Sequence, residues 1–263
     1  MSRFLVSATW DDNAPHLTKQ AKADLHASIP PYQRDAREKG IPQLGAGVIL
    51  PFPDEEIVVD AFPIPDHWPR GYGLDIGWNK VAALWDAKDP DTGTIYRYDE
   101  HYSGEQHPVI HGEAMRRRGA WIPGRIDPAA HGRSQVDGKK LMTVWRQAIY
   151  GTEDVTLGMR LLGPAVNAVS AGLDMEYMAL STGLLKVMRH RCPNWMAERR
   201  LYRRDERGHI VKQHDHAIDA GRYRTASGDL WLAVKPAEVR PNPMQRFASG
   251  GSREDGLAWM GSV

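Results

Sequence analysis

Three β-prone runs follow one another from Tyr72, over residues 72–78, 81–85 and 94–98. Their separators, Trp78-Asn79-Lys80 and Asp89-Pro90-Asp91-Thr92-Gly93, are turn chemistry, so the runs read as consecutive antiparallel strands joined by hairpins. Beyond them the pattern alternates: a helix over 109–118, a strand over 121–126, an amphipathic helix over 139–148 and a strand around 156–162. Further helices fit 173–180, 195–200 and 215–225, the last reached through a hairpin that turns at Gly208. Strands first and alternation afterwards predict an α/β fold, a mixed sheet with helices on its faces.

The flanks differ from this middle. Residues 1–70 hold a short apolar run at 4–8, a helix-permissive stretch at 17–27, and then eight prolines between Pro30 and Pro69. Each proline removes a backbone donor and disfavours helix in the residue before it. An isolated core is not expected there, and the segment reads as an arm packed on something else. Residues 71–226 form the predicted domain. Residues 227–263, with Pro236, Pro241, Pro243 and Ser249-Gly250-Gly251-Ser252, read as a flexible tail anchored by Trp231 and Trp259. No apolar run reaches about 18 residues, and the N-terminal run is too short for a secretory signal, which predicts no membrane span and a cytosolic setting. Cys192 is the single cysteine, which excludes an internal disulfide and a cysteine-based zinc cage.

Three carboxylate positions carry the chemistry. Gly73-Leu74-Asp75-Ile76-Gly77 sets an acid inside an apolar strand, where it costs free energy unless paired or bound to a cation. Taken alone, Asp75 also fits an edge-strand acid facing solvent. Asp127, in Arg125-Ile126-Asp127-Pro128, stands where a strand ends, a place that also suits an ordinary turn or helix-capping acid. Asp215 and Asp219 lie four apart and so on one helix face, which a solvated helix start would also produce. The three positions converge if the two strands are neighbours and the helix packs across them. Clustered carboxylates raise one another's pKa and persist best with cations, and all-oxygen ligands suit Mg²⁺ or Mn²⁺. Two such ions about 4 Å apart can activate a water and stabilise the leaving oxygen of a phosphodiester.

The order of strand acid, strand-end acid and late helical acid resembles the ribonuclease-H-like nuclease domain of phage terminase large subunits. Local text adds to the resemblance: Ser7-Ala8-Thr9-Trp10-Asp11-Asp12 with Pro15-His16-Leu17, and Ile29-Pro30-Pro31-Tyr32-Gln33-Arg34-Asp35-Ala36-Arg37 before Gly40-Ile41-Pro42. The nuclease-like text is Gly73 to Trp78, Trp121-Ile122-Pro123, and His216-Ala217-Ile218-Asp219-Ala220 with Arg222-Tyr223. The resemblance spans about residues 5–226. It implies that residues 1–70 match the end of a packaging ATPase domain and its linker, and that residues 71–226 are the nuclease. It further implies Asp75 and Asp127 as catalytic metal ligands with two Mg²⁺ or Mn²⁺ ions. The third acid is Asp219, which follows His216 by three, or Asp215, which matches members with an acidic pair at the helix start. Asp219 is favoured, with Asp215 and His216 in or near the shell. Double-stranded DNA as substrate, a portal protein and a small terminase subunit as partners, and the cytoplasm of an infected bacterium as setting are implied in the same way. Large terminases also carry a phosphate-binding loop. The stretch Gly132 to Lys140 is a near miss, with five residues instead of four before Gly138-Lys139 and Lys140 in place of Ser or Thr. ATP-driven packaging is therefore not expected of these residues by themselves.

Lys plus Arg is 34 and Asp plus Glu 33, so net charge decides nothing, but its distribution does. From Lys186 to Arg224 eleven bases face five acids, whereas residues 51–66 hold five acids and no base. Arg199, Arg200, Arg203, Arg204 and Lys212 are the candidates for contacts to duplex phosphates. A solvated surface hairpin is the plainer account of them. Arg116-Arg117-Arg118 reads as a helix end, Asp91-Thr92-Gly93 as a hairpin turn, and His107 and His111 as surface histidines. His209, His214 and His216 could hold zinc with Asp219. The reading is a metal-dependent endonuclease cutting double-stranded DNA in phage genome packaging. The alternatives are a resolvase-type nuclease on branched DNA and a non-cleaving module that binds DNA or the portal.

Overall fold

The computed structural model describes residues 9–10, 18–28, 47–133, 138–151, 161–164, 166–205 and 207–237. Its elements run α1 (Lys19–Ser28), α2 (Asp54–Ile57), β1 (Val58–Val59), β2 (Arg70–Asp75), β3 (Val81–Lys88), β4 (Ile95–Ser103), α3 (Pro108–Gly119), β5 (Gly124–Ile126), a 3₁₀ turn (Pro128–His131), α4 (Leu141–Tyr150), β6 (Leu161–Leu162), α5 (Val169–Ser181), β7 (Leu185–Met188), α6 (Pro193–Leu201) and α7 (His216–Thr225). The strands form one sheet in the order β1-β7-β4-β3-β2-β5-β6. Strands β2, β3 and β4 are antiparallel to their neighbours in that trio, while β5, β6, β7 and β1 join in parallel. The mixed sheet and its flanking helices match the predicted class, and the fold is ribonuclease-H-like.

The sheet is covered on both faces, and β3 shows why. Its side chains alternate, so Val81, Ala83 and Trp85 enter one buried cluster with Met115 of α3 and Met142, Trp145 and Ile149 of α4. Ala82 and Leu84 enter the other, with Leu173 of α5, Trp195 of α6 and Ile218 of α7. On β2, Tyr72 and Leu74 join the first cluster, so Gly73 and Asp75 face α7, while Gly71 on the same side meets Trp231 and Leu232. Gly73 has to be glycine: a Cβ there would stand 1.8 Å from the Ala220 carbonyl oxygen of α7. This close crossing seats the middle of α7 on β2 and so leaves the start of the helix beside the strand's end at Asp75.

Charge also ties α7 to the sheet. Arg97 of β4 is wholly buried, with Nε 3.1 Å from Asp86 of β3 and Nη1 2.6 Å from Glu176 of α5. Arg224 of α7 places Nε 3.0 Å from the other Asp86 oxygen. Each buried charge in this group has an opposite charge against it, as burial requires.

Residues 48–59, read from the sequence as part of the arm, complete the core of the domain. Leu50, Phe52 and Ile57 are buried in the α7-side cluster, and β1 extends the sheet beside β7. The prolines are compatible with this because the stretch is mostly extended and borrows a core instead of building one. At the other end, Ala233 exchanges backbone hydrogen bonds with Arg70, and Trp231 lies 4.6 Å under the Arg125 guanidinium. The rest of the predicted tail, from 238 and including Trp259, lies outside the described residues, as do the texts at 1–8 and 29–42. Strands β1 and β7 were absent from the sequence reading, being only two and four residues long.

Candidate functional site

Parallel pairing of β2 with β5 brings the first two acids side by side. Leu74 is in register with Ile126, and the Asp127 backbone N–H donates to the Leu74 carbonyl at 2.8 Å. Asp75 is the last residue of β2 and faces α7, whose first turn carries His216 and Asp219. His216 Nδ1 stands 2.9 Å from Asp75 Oδ2. Arg222, one turn on, donates from Nε to Asp219 Oδ1 at 3.0 Å. Asp127 accepts from the Ala129 N–H at 2.9 Å, capping the 3₁₀ turn, so the plainer capping role expected of it is real. Asp215 is the residue before α7, and Lys212 Nζ lies 3.8 Å from it and 3.7 Å from Asp219.

The electrostatics centre on Asp75. Burial pushes its pKa up to about 6; the His216 hydrogen bond opposes this, and the nearby Asp219 and Asp127 charges reinforce it. His216 is raised in turn, chiefly by its hydrogen bond to Asp75 and against its own burial. The two shifts agree physically: a buried acid among acids draws its nearest imidazole toward the cationic form. Three carboxylates thus interact across one strand end. This donor set, all oxygen with one imidazole beside it, fits a hard divalent cation. Among the described residues, however, no group of three or more His, Cys, Asp or Glu side chains stands in ready metal-holding geometry. Each acid is engaged by its own partner, Asp75 by His216, Asp127 by backbone and Asp219 by Arg222.

Other residues that place the site escaped the sequence reading. Asp215 makes no side-chain cap to α7; instead Glu198 of α6 accepts from the Ala217 and Ile218 N–H groups at 2.7 and 3.2 Å. Its second oxygen accepts from the Tyr102 hydroxyl at 2.7 Å. Glu100 of β4 does the same for α6, accepting from the Asn194 and Trp195 N–H groups at 2.9 and 3.2 Å. The orphan donors of both helix starts are thereby met by carboxylates from the preceding layer. No sequence-local signal announces such a cap, since its partner lies about 20 or 95 residues away.

The proposed phosphate contacts divide. Arg199 is corrected: its guanidinium is fully buried, donating to the Leu50 carbonyl at 3.1 Å and to Asp54 at 2.6 Å, and it fastens residues 50–54 to α6. Arg200 is part-exposed and also pairs with Asp54. Arg203 and Arg204 are exposed on the hairpin that turns at Gly208, where φ is +82°. Lys212 is exposed beside the acids. Two histidine readings also change. His111 is buried, not at the surface, with Nδ1 2.9 Å from His101 Nε2. Of the three histidines near the C-terminal acids, His216 meets Asp75, whereas His209 is exposed and 3.7 Å from Asp205. Cys192 is buried, and its thiol pKa is raised by burial, consistent with an inert side chain. No described helix is long and apolar enough to cross a membrane.

No family model matches the chain. It is 30% identical over 228 residues to the terminase large subunits of Enterobacteria phage LP7 and Salmonella phage P22. That alignment covers 84% of the chain but only 46% and 44% of those proteins, so the chain spans less than half their length. The solved P22 large terminase nuclease domain superposes with a TM-score of 0.62 at 26% identity, covering 73% of this chain and 97% of that one. The large terminase of a thermophilic bacteriophage aligns at 22% identity with a TM-score of 0.57, over 82% of this chain and 54% of that one, and shares the fold.

Proposed function

Because the chain is related to phage terminase large subunits across their nuclease part, we propose that it is a metal-dependent endonuclease cutting double-stranded DNA during genome packaging. The observation that carries this reading is the meeting of Asp75, Asp127 and Asp219 at one strand end, with the Asp75 pKa raised first by burial and further by the other two acids. Asp75, Asp127 and Asp219 would hold the divalent ions, with Asp215 and His216 beside them. Once bound, two such ions supply a nucleophilic water and charge stabilisation at the leaving 3′-oxygen. Asp75 and Asp127 anchor the site to neighbouring strands, while Glu198 and the Arg97–Asp86–Arg224 pairs fix the height and turn of α7 above them. Arg222 orients the Asp219 carboxylate. His216, hydrogen-bonded through Nδ1 to Asp75 Oδ2, would orient that carboxylate toward a bound cation. Lys212, beside the acids, and Arg203 and Arg204, exposed on the preceding hairpin, present cations to the DNA backbone. A portal protein, a small terminase subunit and the cytoplasm of an infected bacterium complete the packaging setting.

Nicking of supercoiled plasmid with Mn²⁺, Mg²⁺ or EDTA, by the chain and by Asp75→Ala, tests the reading. Metal-dependent nicking that disappears in the variant is expected. Nicking that persists in the variant would contradict the assignment. The separate engagement of each acid favours one second reading, a non-cleaving module that binds DNA or the portal; salt-sensitive DNA binding without nicking in either metal would select it. A resolvase-type activity would instead show as faster cutting of branched than of linear DNA.

A further inference from the structure

The loop after Asp75 carries an indole with no structural task. Trp78 is 71% exposed, yet its loop is held firmly: the Glu105 N–H donates to the Trp78 carbonyl at 2.8 Å. Gly104 packs so close to Asn79 that a Cβ would come within 1.8 Å of its carbonyl oxygen. Beside the ring opens a pocket of about 230 Å³, walled by Ile76, Gly77, Trp78, Leu141 and Trp145, with Gln106 at its border. Ile76 and Gly77 directly follow Asp75 in the chain. The pocket lies on the α4 side of the strand end whose other side bears the acids. Lys139 and Lys140 precede α4, whose Leu141 and Trp145 form the far wall.

We propose that this pocket is a nucleotide subsite taking one unstacked base of the cut strand, next to the phosphate that divalent ions would bring to Asp75. The inference rests on the nuclease reading of the acids. The nucleoside next to a phosphate at Asp75 stays within one sugar–phosphate repeat of it, and Ile76 and Gly77, the two residues after Asp75, line the pocket. Its walls are apolar and aromatic, as a base face requires, while Gln106 can meet a base edge. The lysines at the start of α4 carry the sign needed for the flanking phosphates. The backbone that carries the exposed indole is held by the Glu105–Trp78 hydrogen bond, so stacking on the ring orders only its side chain.

Metal-free binding tests the subsite separately from cleavage. Fluorescently labelled duplexes, fully paired or with a short central bubble, are titrated in EDTA with wild type, Trp78→Ala and Trp78→Phe. Wild type is expected to favour the bubble, where unpairing costs nothing. Trp78→Ala should bind the bubble roughly 5- to 150-fold more weakly, the range for losing one base–aromatic stack, and Trp78→Phe should recover much of that loss. Equal bubble affinity in wild type and Trp78→Ala, or a Phe variant no better than Ala, would overturn the subsite. The nuclease reading fails by another route, absence of Mn²⁺-dependent nicking, which leaves this binding result standing.

Discussion

Two groups of buried charge lie on the same face of the sheet and obey opposite rules. Around Arg97, every charge has a partner: Asp86 and Glu176 meet Arg97, and Arg224 meets Asp86. Around Asp75, acids outnumber bases, and burial first and the neighbouring acids second drive Asp75 up to a pKa of about 6. The first group is complete and holds helix to sheet. The second is short of positive charge, as the proposed cation site requires and a structural ion pair does not. The two share α7, so the complete group sets where the incomplete one sits.

Breaking the complete group has the largest expected effect. Arg97→Met leaves the buried Glu176 carboxylate without its cation and Asp86 with Arg224 alone, and should cost about 3–5 kcal/mol, read as a lower urea midpoint. A variant as stable as wild type would mean that the network contributes nothing to the fold. Between the two groups stands the Glu198 cap. Glu198→Ala should cost about 1–2 kcal/mol, the range for losing a helix cap. Its nicking rate should fall further than its stability accounts for, because the start of α7 carries His216 and Asp219. Nicking unchanged in a folded Glu198→Ala protein would show that the cap does not position the acids.

A smaller effect distinguishes a third kind of burial, neutral and paired without a counter-ion. Burial and the neighbouring His111 push the His101 pKa down to about 4. The folded protein therefore binds fewer protons than the unfolded chain between that value and about 6.5, so this contribution is full above pH 6.5 and lost as pH falls toward 4. The half-buried ring limits the loss to about 1 kcal/mol. His101→Phe should flatten the slope of Tm against pH over that window, and an unchanged slope would assign the acid sensitivity elsewhere.

Much of the site was legible because its acids break local rules. An Asp inside an apolar strand and an acid pair at i and i+4 are visible without a structure, and their convergence followed from β2 and β5 being neighbours beneath α7. Capping of α7 was not legible, since Glu198 reaches it from another helix. Arg199 was misread for a related reason: in a run of arginines, only the direction of the α6 face tells which guanidinium turns inward to Asp54. His111 looked like half of a surface pair, and only packing against His101 and Trp145 buries it. Strands β1 and β7 are too short for periodicity to register, and pairing with each other and with β4 creates them.

The central claim is that the Asp75 group lacks positive charge that a divalent ion supplies. It is tested most directly by thermal unfolding of wild type and Asp75→Asn at pH 7, with EDTA and with Mn²⁺. In EDTA the variant should be the more stable by about 1–2 kcal/mol, since a buried charge held at a raised pKa has been removed. With Mn²⁺ at about 100 times its Kd, wild type should gain about 2.7 kcal/mol and the order should invert. Equal Mn²⁺ shifts in both proteins, or none in wild type, would contradict the account.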